Sequence, residues 1–317
     1  MQNWKFTKGL HDLGNGTFAY ILPDGSWGWS NAGLVTDGGK ALLVDTLMDL
    51  ALTREMLRDM KQATPAARSI DVLVNTHGNA DHWYGNQLVE GAEIISSEGA
   101  AEGMKELLPQ GFAELMKNAP ALGEAGGYIG RIFSPFKFDD ITPVLPTRTF
   151  VKRLDLKVGR KEVQLIEVGP AHTHGDVIVY VPDDKTIFAG DILFIGGTPI
   201  MWGGPMANWI RACDLMLSMK ADKIVPGHGP ITDNKGVEAV KGYLEYVYAE
   251  ARRRYDAGMT VAEAATDIDL GTYASWGESE RIVVNVNTLY QEFSGVPSSA
   301  EVATLFELMA KYPKKKE

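Results

Sequence analysis

Six histidines stand among the 317 residues, and all but His11 fall in short polar clusters beside glycines or acidic residues. His77-Gly-Asn79-Ala-Asp81-His82 is the first cluster, and Gly169-Pro-Ala-His172-Thr-His174-Gly-Asp the second. Ala189-Gly-Asp191 and Val225-Pro-Gly-His228-Gly complete the set. Each follows a run of apolar or β-branched residues of strand type. One histidine at a strand end needs no more than a hydrogen-bond partner. Four such clusters at one edge, with Asp81 and Asp191 among them, gather many buried polar groups that need a common partner, and a metal ion is one that satisfies them together. Imidazole and carboxylate without thiolate suit zinc or iron and disfavour calcium or magnesium.

Something must hold these clusters at one edge, and the apolar spacing says what. Phe18-Ala-Tyr-Ile-Leu22, Ser30 to Val35 and Ala41 to Asp45, separated by Pro23-Asp-Gly and Asp37-Gly-Gly, read as consecutive antiparallel strands. From Asp49 to about Ala63 the spacing turns helical, with Leu52, Met56, Leu57 and Met60 on one face and Pro65 as a stop. Ile70 to Asn75 is then a strand running into the first cluster, which is α/β logic. Residues 98–135 are expected to form a helical insertion, loosened after Lys117 by Gly123, Gly126, Gly127 and Gly130. Two readings of it stand: an ordinary packed insertion, or a lid over the polar cluster. A second β-rich half follows, with strands over Phe150–Val158, Glu162–Val168, Val177–Val181 and Thr186–Ala189. The expected division is 1–235 as one α/β domain and 236–317 as a helical C-terminal extension packed on it. Ser298-Ser-Ala-Glu301 has the spacing of a capping box opening the last helix.

Composition narrows the function classes. With 31 Lys plus Arg against 41 Asp plus Glu the net charge is −10, which argues against a nucleic acid or an anionic membrane surface as partner. The run Lys314-Lys315-Lys316 reads as a solvated tail. A single cysteine, Cys213, excludes an intramolecular disulfide framework and a cysteine-rich metal site; its amphipathic surroundings mark it as a buried thiol rather than a nucleophile. No window approaches 18 uninterrupted apolar residues and the N-terminal residues lack a signal-type apolar stretch, so a cytoplasmic protein is expected.

The ordered motifs His-x-Asn-x-Asp-His, Gly-x-x-His-Thr-x-Gly-Asp, Gly-Asp and Pro-Gly-His-Gly resemble those of the metallo-β-lactamase superfamily over roughly residues 15 to 235. The resemblance implies a four-layer αββα sandwich with one or two divalent metals at one edge, zinc first and iron or manganese as alternatives. It implies His77, His172 and Asp191 as ligands of the first metal and Asp81, His82 and His228 as ligands of the second, with Asp191 bridging. One position departs: Asn79 stands where the family's middle histidine belongs, and an amide oxygen is a much weaker ligand than imidazole. Unequal sites are therefore expected. The bridging Asp191 resembles the glyoxalase-type hydrolases rather than the true β-lactamases. The stretch from Thr76 through Asn86 is also similar to a subgroup containing second-ring cyclases of aromatic polyketide pathways.

Function follows as alternatives. A metal-dependent hydrolase would cleave an ester, thioester or lactone of a hydrophobic or aromatic small molecule, with Asp81 and His174 as catalytic groups. A cyclase or lyase would use the same metal as Lewis acid, and a metal-poor binding protein on the enzyme fold is the third class. His174 reads either as a proton donor near the metals or as an exposed residue. Phe194, Met201 and Trp202 read either as the wall of an apolar substrate pocket or as core. Association into a homo-oligomer is left open.

Overall fold

The computed structural model describes residues 4–296 and 301–313. The first three residues, the expected Ser298 cap and the terminal lysine run lie outside them. Among the described residues two sheets form. In the first, β1 (Gly9–Gly14), β2 (Thr17–Ile21), β3 (Ala32–Asp37) and β4 (Lys40–Val44) make an antiparallel meander, which β5 (Val72–Val74), β6 (Glu93–Ser97) and β7 (Arg148–Phe150) extend in parallel. In the second, β8 (Arg153–Val158), β9 (Lys161–Glu167), β10 (Val177–Val181) and β11 (Thr186–Phe188) are antiparallel neighbours, and β12 (Lys223–Val225) pairs parallel with β11.

The helices are α1 (Leu50–Ala63), α2 (Glu98–Glu106), α3 (Pro109–Asn118), α4 (Gly123–Phe133), α5 (Met206–Ser218), α6 (Asn234–Asp256), α7 (Val261–Asp267), α8 (Ile282–Ser294) and α9 (Val302–Lys311). Among the described residues none is long and apolar enough to cross a membrane.

Period-two alternation sorts the side chains into layers. Ala19, Ile21, Val35, Leu42 and Val44 point between the sheets and meet Val163, Leu165, Val177 and Val179. Their neighbours Tyr20, Leu34, Leu43 and Leu73 point the other way, onto Met56, Leu57 and Met60 of α1. On the far side Ile178, Ile187 and Ile224 face Trp209, Cys213 and Met216 of α5 and Val240, Leu244 and Val247 of α6. The result is the αββα sandwich, each sheet burying both faces. Each fully buried Leu or Ile contributes roughly 1.5–3 kcal/mol relative to exposure.

Two local expectations are corrected. Phe150–Val158 is not one strand: Lys152, at φ +62°, turns the chain from β7 in the first sheet to β8 in the second. The glycine-rich run is not loose either, because Gly123–Phe133 forms α4. Its Ala125, Tyr128, Ile129 and Phe133 are buried, and it packs on α9. At Gly126 a Cβ would overlap the Ala119 carbonyl, so the missing side chain is what permits the close approach. Tertiary burial outweighs the weak helix propensity of four glycines.

Loops leave the C-terminal ends of β4, β5, β9, β11 and β12 toward one edge of the sandwich, carrying respectively Asp45, residues 76–82, residues 169–176, Asp191 and His228. That edge is where an α/β arrangement leaves a crevice.

Candidate metal centre

At this edge the structure brings together His77, His172 and Asp191, and beside them Asp81, His82 and His228; within each trio the potential ligand atoms lie inside 4.8 Å of one another. Asp191 reaches both groups. Its Oδ2 is 3.4 Å from His172 Nε2, 3.4 Å from His228 Nε2 and 3.8 Å from His77 Nε2, while Oδ1 is 3.1 Å from His82 Nε2. Asp81 Oδ2 is 3.3 Å from His228 Nε2 and 3.9 Å from His82 Nε2. Gly190, at φ +50°, makes the turn before Asp191, and at Gly227 a Cβ would overlap Asp191 Oδ1. The glycines of the Gly-Asp and Pro-Gly-His motifs are thus required by backbone approach to that carboxylate.

Each imidazole is held from behind. His82 Nδ1 donates to Asp45 Oδ2 at 2.9 Å, His172 Nδ1 to the Ile200 carbonyl at 2.6 Å and His228 Nδ1 to the Gly25 carbonyl at 3.0 Å. His77 Nδ1 lies 3.0 Å from Thr76 Oγ1, whose hydroxyl donates to Asp45 Oδ2 at 2.8 Å. With Nδ1 committed as donor, every Nε2 turns its lone pair inward. Asp45 and Thr76 therefore orient two of the four rings. Sequence reasoning missed the role of Asp45, although an acid closing the apolar run Ala41-Leu-Leu-Val was visible. Asp176 was missed too: buried, it accepts from the Ala171 and Thr173 amides and the Thr173 hydroxyl at 2.7–3.1 Å, which shapes the loop carrying His172.

The electrostatics fit a cation. His77 Nε2, His82 Nε2 and Asp191 Oδ1 are buried without a hydrogen-bond partner. Burial works against charge on His82, but the fields of Asp191, Asp45 and Asp81 overcome it and hold the imidazole well above its usual range. The same contest, burial against Asp191 and Asp81, leaves His228 raised to about 9. Burial pushes the Asp81 carboxyl up, yet His82 and His228 bring it down to about 2. Crowded carboxylates thus draw positive charge onto buried imidazoles, the role a divalent ion fills better, so the residues present fit a metal. Asn79 departs from this pattern: its Nδ2 lies 3.0 Å from His172 Nε2, donating to the lone pair a metal at the first position would use.

The centre opens onto a cavity of about 580 Å³. Asn79, Asp81, His172, Asp191 and His228 line one part of it. Trp27, Phe112, Ile129 and Phe133 line another, with Val302 and Phe306 of α9. Phe194 and Trp202 are in this lining, Phe194 stacking on the His228 ring at 5.1 Å and Trp202 on Phe306 at 6.4 Å. Met201 is fully buried in the core, its amide donating to Asn285 Oδ1 and its carbonyl accepting from the Thr288 hydroxyl, and it is not in the lining. His174 is exposed at the cavity's edge. His11 sits on β1 against the Thr7 carbonyl, apart from the cluster.

Comparison with known proteins agrees with this geometry. Residues 25–228, well over half of the chain, match the family model described as the metallo-beta-lactamase superfamily. Over 88 residues, 26% of either chain, the protein is 31% identical to the 2,4-dinitroanisole O-demethylase subunit alpha of Nocardioides sp. (strain JS1661). Over 230 residues it is 23% identical to the Beta-lactamase-like protein 2 homolog of Drosophila melanogaster, covering 71% of this chain and 65% of that one. The chain thus spans less than two thirds of the length of these curated relatives. Among solved structures it is similar to the stereoselective inverting sec-alkylsulfatase Pisa1 from Pseudomonas sp., with a TM-score of 0.67 at 17% identity over 91% of this chain and 50% of that one. The metallo-beta-lactamase from Pontibacter korlensis gives a TM-score of 0.57 at 20% identity over 75% of this chain and 99% of that one. At these identities the structural likeness speaks for the fold alone.

Proposed function

The chain belongs to the metallo-β-lactamase superfamily, and from that premise we propose that it is a metal-dependent hydrolase cleaving an ester, thioester or lactone of a hydrophobic small molecule. The observation that carries this reading is the convergence of four Nε2 lone pairs and two carboxylates on one point of a cavity otherwise walled by apolar and aromatic side chains. His77, His172 and Asp191 would hold one ion and Asp81, His82 and His228 a second, zinc being the choice that imidazole and carboxylate favour. A divalent ion held there supplies a water acidified toward neutrality and an electrophile for the acyl oxygen.

The chain's own residues do the rest. Asp81, the more exposed of the two central carboxylates, takes the proton of the attacking water. His174, at the cavity edge, returns a proton to the leaving group. Phe194 and Trp202 exclude water and orient the apolar part of the substrate. Because Arg281, just before α8, and Val302 and Phe306 of α9 complete the wall, the proposed working unit extends beyond residues 1–235 into the C-terminal helices. None of the proteins named above is described as a cyclase, and no feature of the cavity favours ring closure over hydrolysis.

Turnover of aryl esters, acyl thioesters and lactones in ¹⁸O-labelled water tests the reaction class, with an enzyme-free control for carbonyl exchange. Hydrolysis places one solvent oxygen in the acid product. A product lighter by one water and carrying no label would overturn the reading.

A further inference from the structure

One buried cation lines the cavity and takes no part in the metal centre. Arg281, 1% exposed, enters it from the turn just before α8. Its guanidinium lies over the Trp27 ring, Cζ 4.4 Å from the centroid, and 5.3 Å from that of Phe194. Stacking of this kind covers the flat faces of the fork and leaves its N–H edge to bind.

That edge is underused. Among the described residues the only hydrogen bond from the guanidinium is Nη1 to the Thr198 carbonyl at 3.1 Å, and Nε is buried with no partner. The other buried cations are served differently. Lys161 pairs with Asp184 at 2.7 Å, and Arg254 bonds Glu250 and Asp267 through Nε and both terminal nitrogens. Near Arg281 the acids are poorly placed. Glu278 Oε2 stands 3.6 Å from Nη1, beyond a hydrogen bond, and burial pushes its carboxyl up, toward the neutral form. Glu280 accepts the Tyr128 hydroxyl at 2.8 Å instead. A buried guanidinium with this little compensation calls for an anion.

We propose that Arg281 binds an oxyanion of the substrate, so that the cavity takes an apolar molecule carrying a carboxylate or sulfonate-type group apart from the bond that is cut. Phe194, beneath the guanidinium, is also the ring that stacks on His228, so the anion site adjoins the metal ligands without using them. The remaining wall suits the apolar body: Leu115, Ile129 and Phe133 line it, and Leu107 and Val302 extend it outward, 42% and 59% exposed. This inference rests on the hydrolase reading only in taking the cavity as the substrate site.

Titration calorimetry on the protein as purified tests it without turnover, using naphthoate, naphthalenesulfonate and naphthamide as probes. At least one anion is expected to bind about tenfold or more tightly than the neutral amide, the usual return on hydrogen bonds to a charged group; comparing the two anions reads which oxyanion shape fits. Arg281→Met should erase the gap while leaving the amide's affinity unchanged, and Arg281→Lys, which keeps the charge but loses the fork, should shrink it several-fold. Equal affinity for anion and amide in the wild type overturns the proposal. A gap that survives Arg281→Met also overturns it, since the anion would then sit on the metal ions; if that variant does not fold, an unchanged gap in Arg281→Lys decides the same way. Anion preference without hydrolysis of any ester would sink the hydrolase reading and keep this one, while ester hydrolysis without anion preference would do the reverse.

Discussion

Asp45 is the residue on which the orientation of the centre turns. It sits at φ +62°, a backbone conformation asparagine tolerates as well as aspartate, so Asp45→Asn removes the charge with little backbone strain. The variant keeps an acceptor for Thr76 but loses the carboxylate that holds His82 Nδ1–H. Metal affinity should fall about 10–100-fold, the range for such outer partners. Competition with a chelator measures it, and an unchanged far-UV spectrum shows that the fold persists. Unaltered affinity would mean that His82 is positioned by packing alone. Asn79 makes the opposite case. Its amide donates to His172 Nε2, and Asn79→His would replace that donor with a ligand. Elemental analysis should show metal content per chain rising toward two; unchanged content would mean that Asn79 already ligates adequately or that the first site is blocked.

Among the elements, α4 shows how glycines can serve a helix. Gly126 and Gly127 are adjacent in sequence and opposite in surroundings. A Cβ at Gly126 would overlap the Ala119 carbonyl, whereas at the exposed Gly127 it would meet nothing within 4 Å. Gly127→Ala should therefore stabilise the protein by up to about 1 kcal/mol, the helix-propensity gain. Gly126→Ala should destabilise it by about 1–3 kcal/mol, the cost of overpacking. Urea midpoints read both signs, and two shifts in the same direction would refute the packing account. The consequence reaches the cavity, because Ile129 and Phe133 of the same helix line it.

For the molecule as a whole, Cys213 is a probe of global opening. It lies between the second sheet and α6, fully buried, and burial pushes its thiol up to about 12. A water-soluble disulfide reagent should react only as fast as the protein unfolds, and at once in concentrated denaturant. Rapid labelling under native conditions would reveal local opening of α5. The pH dependence has a definite sign. Above the ordinary cysteine value near 9 the unfolded chain loses this proton while the folded chain keeps it, so stability falls as pH climbs from 9 toward 12. The urea stability lead of wild type over Cys213→Ala should narrow across that range; a constant lead would contradict the assigned shift.

What lay in the sequence was whatever neighbouring residues encode. Alternation in Phe18–Leu22 and Ala41–Val44 has a two-residue period, and the face of α1 a 3.6-residue one, so a short window contains the whole signal. The ligand clusters were legible for the same reason: His77 to His82, Gly169 to Asp176 and Val225 to His228 each occupy a few consecutive positions at a strand end. Their glycines and acids carry the spacing with them. The tertiary structure alone decided what depends on distant partners. Phe150–Val158 looks continuous because nothing local marks Lys152 as the crossing between sheets; only the separate partners of β7 and β8 do. Asp45 has no motif around it, and its meaning comes from His82 and Thr76, which the parallel β4–β5 pairing sets beside it. Arg281, in Ser279-Glu-Arg281-Ile, has no motif around it to single it out. It becomes a buried cation because Trp27 and Phe194, from other parts of the chain, close over it, and burial is a property of the packed whole rather than of any window.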